Sequence, residues 1–240
     1  NLITELVSGW VSDAHPAGIT VPYYLYYDGT QVPGSRFIWS STQWSFSMLQ
    51  IAFVAADSGG VRFAMRECHG SMPWSVHQEL HQTVGTYLQS GGDLSNYTLS
   101  STTLKYPYVS ATQIKDEDLQ TTNAALSSAS YTQMYLAGAS GTPTFVTGAA
   151  AIVPVSGNQP YYNQWTGAIW QQALMGNNTY STVWLIAVPT TSETTSQAYR
   201  YVWIQGQTNG TLASQQSLSP SSITLSNFAN LSPEFVFIDK

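Results

Sequence analysis

The stretch ECHGSMPWSVHQELHQ, Glu67 to Gln82, holds the single cysteine of this chain and three of its four histidines. These are the residue types that ligate metals or act as nucleophile and base. His77 and His81 stand four residues apart in a predicted helix, so both rings can point the same way and share an ion. A zinc-protease motif needs Glu directly after the first His, and Gln78 holds that place. Glu79 lies about 200° around the helix from His77, facing away from the pair. A closed structural zinc needs four ligands, and Cys68 with His69 could complete a set only if the Gly-Ser-Met-Pro turn folded back over the helix. The spacing therefore predicts no metal and no cofactor, with His77 and His81 as the only ligand candidates. In this reading Val76, Leu80, Val84 and Leu88 form a buried stripe, the histidines flank it, and Cys68 is a small buried apolar group at a strand end.

Other reactive constellations are sparse. There is no Gly-X-Ser-X-Gly, no Gly-X-X-X-X-Gly-Lys and no Gly-X-Gly-X-X-Gly, which removes the common serine-nucleophile and phosphate-cradling devices. A glycoside hydrolase needs only two carboxylates across a scissile bond. Glu67, Glu193 and Glu234 are the candidates; Glu193, in TSETTSQ, reads as a loop tip. Asp116, Glu117 and Asp118 read as decoration of a helix N-terminus, where negative charge is favoured. Nothing in the spacing pairs any of these acids, so the expectation is a protein that acts by binding rather than catalysis. NQPYYNQWTGAIW, from Asn158 to Trp170, supplies the chemistry for that. Tyr161, Tyr162, Asn163, Gln164 and Trp165 mix ring faces with amides, suited to stacking on a sugar or to an amphipathic protein contact, and are expected on a surface loop.

The elements that must position these residues are strands. Aromatic and β-branched runs end repeatedly at Gly, Pro, Asn or Asp, most clearly at Asp28-Gly29 and Asp57-Ser58-Gly59. In Gly60 to Cys68, Val61, Phe63 and Met65 alternate with Arg62, Ala64 and Arg66, a half-buried strand with both arginines on one face. At least ten such runs extend to the last residues. Three segments read as helical: PWSVHQELHQTVGTYLQ, KDEDLQTTNAALSS and NQWTGAIWQQALMG. Leu94 to Thr112 reads as a long surface loop or an edge strand. The fold class expected is all-β, a Greek-key barrel or sandwich with a few short helices in its connections, in one domain spanning 1–240.

Composition narrows the partners. Charged residues are 8% of the 240 and net charge is −6, against a typical charged fraction of about 25%. Ser, Thr, Gln and Asn take their place, giving a hydrogen-bonding surface with little charge repulsion. Arg36, Arg62, Arg66, Lys105, Lys115, Arg200 and Lys240 are scattered, so no basic stripe exists for nucleic acid. No apolar run of about 20 residues could insert in a membrane as a helix. One cysteine excludes an intramolecular disulfide, which favours cytosolic folding. Sequons at Asn96, Asn177, Asn209 and Asn230 point the other way. The first residues, NLITEL, lack Met, so the chain is expected to be a piece of something longer.

A disulfide-free all-β chain, poor in charge and rich in Ser, Thr, Gln and aromatics, resembles a projecting domain of a non-enveloped RNA virus capsid. It is most similar to the dimeric spikes of astroviruses in size, layout and its Lys240 terminus. The resemblance implies a β-barrel spike on the virion surface, synthesised and assembled in host cytoplasm. It also implies pairing as a homodimer, attachment to a host-cell receptor or glycan, and recognition by neutralising antibodies. It carries across no binding residue. The alternatives from chemistry alone are a secreted lectin or carbohydrate-binding domain, then a β-sandwich glycoside hydrolase.

Overall fold

The computed structural model describes residues 20–44, 48–68, 72–96, 107–127, 130–190, 196–226, 228 and 234–240. Among them the chain is all-β, with 17 strands and two helices longer than a 3-10 turn.

The first sheet has the order β2-β1-β3-β4, from β1 (Val21–Tyr27), β2 (Phe37–Ser40), β3 (Leu49–Asp57) and β4 (Gly60–Arg66), all antiparallel. Its turns are those the sequence announces. Asp57 pairs with Gly60 across the Ser58-Gly59 turn, and Asp28 donates its N–H to the Arg36 carbonyl at 2.8 Å to close the β1–β2 connection. The expected alternation in β4 is seen in part: Phe63 and Met65 are buried and Arg66 is exposed, but Ala64 between them is buried as well.

After β4 comes α1 (Trp74–Thr83), closed by Gly85 at φ +59, the left-handed value that ends many helices. Then follow β5 (Thr86–Gly91), β6 (Leu94–Ser95), β7 (Tyr108–Val109), β8 (Thr112–Asp116) and β9 (Leu119–Asn123). They form a sheet ordered β5-β8-β9 and a small β6-β7 pair. KDEDLQTTN is thus the β8–β9 hairpin and not a helix. Thr112, Ile114 and Asp116 alternate inward with period two, and cross-strand pairing from Thr112↔Asn123 to Asp116↔Leu119 outweighs helix propensity. Leu94 to Thr112 contributes the edge pair β6–β7; residues 97–106 lie outside the described set.

The remaining strands are β10 (Tyr131–Ala137), β11 (Thr142–Ala149), β12 (Val155–Ser156), β13 (Gln159–Trp165), β14 (Trp170–Leu174), β15 (Trp184–Ala187), β16 (Tyr201–Ile204) and β17 (Val236–Asp239), with the short helix α2 (Leu212–Gln216) before β17. A five-stranded sheet runs β11-β10-β16-β15-β17, with β10 and β16 parallel. NQWTGAIWQQALMG is the β13–β14 hairpin and not a helix, paired from Tyr161↔Leu174 to Trp165↔Trp170.

The five-stranded sheet lies between two layers. Trp184, Ile186, Val202 and Ile204 face Phe53, Phe63 and Met65 of the first sheet. Leu185, Ala187, Tyr201 and Trp203 face Val109, Ile114 and Leu126, with Leu88 and Leu94 packed alongside. This two-sided burial explains why Trp184–Ala187 and Tyr201–Ile204 read as unbroken apolar runs, where a one-sided strand would alternate. Each large side chain placed there contributes about 1.5–3 kcal/mol. The sandwich alternative is the one observed, with a third β layer behind it.

Candidate functional site

The five aromatic and amide residues named from sequence all fall on β13, a strand and not a loop. Side chains on a strand alternate, and the register puts Tyr161, Asn163 and Trp165 on one face. Asn163 is wholly buried. Its Oδ1 accepts the Leu136 N–H at 2.7 Å, and its Nδ2 donates to the Leu136 carbonyl at 2.8 Å and the Gln171 carbonyl at 3.2 Å. The Asn163 N–H itself donates to the Gly206 carbonyl at 2.7 Å. Asn163 is therefore a clamp between β10 and the β13–β14 hairpin, withdrawn from any ligand, while Tyr161, Tyr162 and Gln164 are half-buried. Only Trp165 is open, 44% exposed. Its ring leans on Trp170, centroids 5.5 Å apart and planes at 44°. Trp170 packs against the main core, and the Gln164 and Gln171 amides, the next cross-strand pair and so on the other face of the hairpin, meet at 3.5 Å. An indole fixed from below can stack on an apolar ring face and donate its N–H to a polar rim.

A second constellation was not legible as one. Helix α1 turns His77 inward, buried, while Val76 and Val84 are 44% and 53% exposed. The predicted apolar stripe holds only in part: Leu80 is half-buried, Val76 and Val84 are not, His77 takes the inward place, and Leu88 belongs to β5. Facing them is Glu117, at the β8–β9 turn. Glu117 Oε2 lies 3.3 Å from His77 Nε2, and Glu117 Oε1 lies 3.0 Å from His81 Nδ1. A carboxylate oxygen each from Asp116 and Glu234 and a ring nitrogen of His81 lie within 4.8 Å of one another. Glu67, just beyond β4, and Glu234, just before β17, are buried and hydrogen-bonded to each other.

The electrostatics follow from this crowding. Burial, and then the negative field of Asp116 and Glu117 set against His81, pushes the Glu67 carboxyl up to about 8. Glu234 is raised for the same reason, by burial and then by Glu67 and Asp116. His81 is raised by its hydrogen bond to Glu117 and by the surrounding acids. Burial thus holds both carboxyls toward their protonated forms.

Sequence reasoning thus found Glu67, Glu234, His77 and His81 but not that they meet, and it assigned Asp116 and Glu117 to a helix that does not form. The two-residue Glu117-Asp118 turn between alternating runs was the available signal. Cys68 is exposed and not buried. His69 and Glu193 lie outside the described residues. A pocket lined by Leu126, Thr132, Gln197, Arg200 and Tyr201 sits on the opposite connection. Its Arg200 is committed to the Ala124 and Gln197 carbonyls, at 3.0 and 2.8 Å.

No protein-family model matches this chain, and neither curated proteins nor solved structures give a significant match.

Proposed function

We propose that this chain is a binding domain that works without catalysis or cofactor, the projecting spike of a non-enveloped RNA virus capsid similar to those of astroviruses. It attaches the particle to a host-cell receptor or glycan and pairs as a homodimer at the virion surface, where antibodies reach it. The observation that carries the binding role is one of surface chemistry. Between Asp118 and Glu193 there is no Asp, Glu, Lys, Arg or His, yet Val146, Val155, Trp165, Ile169, Leu174 and Tyr180 in that span are all exposed. A neutral surface that keeps large apolar groups in water is suited to contact with uncharged sugars and with other protein surfaces. Trp165, resting on Trp170, is the contact we assign to the ligand, and Asn163 is not part of it.

The hydrolase alternative loses support from the same geometry. Glu67 and Glu234 are 5% and 3% exposed and bonded to each other, whereas glycosidic cleavage needs two carboxyls about 5–9.5 Å apart with the sugar between them. The lectin alternative shares the Trp165 chemistry and differs in assembly. The test is cell and glycan binding by the purified domain beside its Trp165→Ala variant, with solution mass by light scattering. A dimer whose attachment falls at least tenfold in Trp165→Ala supports the reading. A monomer with soluble glycan affinity would replace it with the lectin, and attachment unchanged in Trp165→Ala would remove the assigned contact.

A further inference from the structure

We propose that His77, His81 and Glu117 bind one divalent transition-metal ion of the Zn²⁺ class, with Asp116 and Glu234 as the acids that orient His81, and that the ion fastens α1 to the β8–β9 hairpin. Three protein donors leave the fourth position of the ion to water, and the site is independent of the attachment function.

Donor geometry carries the inference. Ligands at 2.0–2.1 Å from a tetrahedral zinc lie about 3.3 Å from one another. Glu117 Oε2 lies 3.3 Å from His77 Nε2 and Glu117 Oε1 3.0 Å from His81 Nδ1, and one donor atom from each of the three residues lies within 4.8 Å of the other two, so small side-chain rotations bring the three donors onto one ion. Two imidazoles and a carboxylate suit Zn²⁺ over Mg²⁺ or Ca²⁺, which prefer all-oxygen shells.

Helix α1 gives a second, independent reason. Val76 in the helix and Val84 at its C-terminal cap are left exposed, while His77 takes the inward place at 7% exposure. That choice forfeits apolar burial, and a ligand shared by His77 and His81 accounts for it. The wider setting agrees: the negative field of Asp116 and Glu117, which raises Glu67 and Glu234, surrounds the histidines and would be neutralised by a dication. Acids behind a ligating histidine fix its tautomer and ring angle, as the Asp116 and Glu234 carboxylates are placed to do for His81. Binding must displace the proton that Glu117 favours on His81, so uptake releases protons and weakens in acid.

Metal content of the untagged domain purified without chelator, followed by Co²⁺ and Zn²⁺ titration of chelator-stripped protein, tests the proposal. One ion per chain is expected, with the intense visible bands of tetrahedral Co²⁺ and a higher melting temperature with Zn²⁺ than with Mg²⁺. His81→Ala and Glu117→Gln should abolish the cobalt bands, and Asp116→Asn should weaken Zn²⁺ about 10- to 100-fold. Glu79→Gln, on the outer face of the same helix, should leave both intact. Wild-type protein that takes up neither ion overturns the site, whatever the variants do. So does wild-type binding that persists in folded His81→Ala and Glu117→Gln, since the ion would then be held elsewhere.

Discussion

Replacing Asn163 by Ala separates a structural amide from a binding one. The substitution removes three side-chain hydrogen bonds, to the Leu136 N–H, the Leu136 carbonyl and the Gln171 carbonyl. Each net bond is worth about 0.5–1.5 kcal/mol, and a buried main-chain group left without a partner costs about 1–3 kcal/mol. Leu136 is fully buried, so water cannot replace the lost amide without parting β10 from the β13–β14 hairpin. We expect a loss of about 3–4 kcal/mol. At roughly 2–4 °C per kcal/mol for a chain of this size, the melting temperature falls by about 10 °C. Urea titration followed by tryptophan fluorescence gives the free energy, and calorimetry gives the temperature. Gln164→Ala, one residue along on the opposite face, should change stability by no more than about 0.5 kcal/mol. A loss under about 1 kcal/mol for Asn163→Ala, or an equal loss for Gln164→Ala, would refute the clamp.

The metal-free domain should become more stable as pH falls. With Glu67 at about 8 when folded and near 4.5 when unfolded, the folded state holds the extra proton between those values. Stability therefore rises as pH drops through 8 and levels off below the unfolded value. Glu67→Gln should flatten that slope, and a melting temperature in chelator that rises from about pH 6 to 8 would contradict the sign. Arg62 meets Asp57 through Nε and Nη2 at 2.9 and 3.0 Å and also donates to the Tyr199 hydroxyl. Arg62→Lys keeps the charge but loses the fork, and should cost about 1–2 kcal/mol in urea unfolding; an unchanged midpoint would show the fork contributes nothing. Gly91 has φ +80, and a Cβ there would meet the Ala111 carbonyl oxygen at 1.8 Å. Gly91→Ala should cost at least about 2 kcal/mol, the left-handed penalty plus a clash with backbone; a loss within about 0.5 kcal/mol would show that β5 and β8 shift apart freely.

Local chemistry made much of this protein legible from its residues. Turn residues at Asp57-Ser58-Gly59 and period-two alternation in Phe63 and Met65 specify a hairpin and its inward face, because both are set within a few residues of chain. The all-β class follows from repetition of such signals. Tertiary pairing decided the rest. Trp165 to Leu174 carries a helix-compatible apolar spacing, and only the Trp165↔Trp170 register made it a hairpin. That register also turned Asn163 from a surface candidate into a buried clamp. His77 and His81 were visible as a pair, but their acids arrive from β4, the β8–β9 turn and the segment before β17. No local pattern records that Glu67, Asp116, Glu117 and Glu234 share a site. A sequence fixes which side chains can titrate or ligate, whereas their charge state and partners depend on which distant segments the sheets bring together and close off from water.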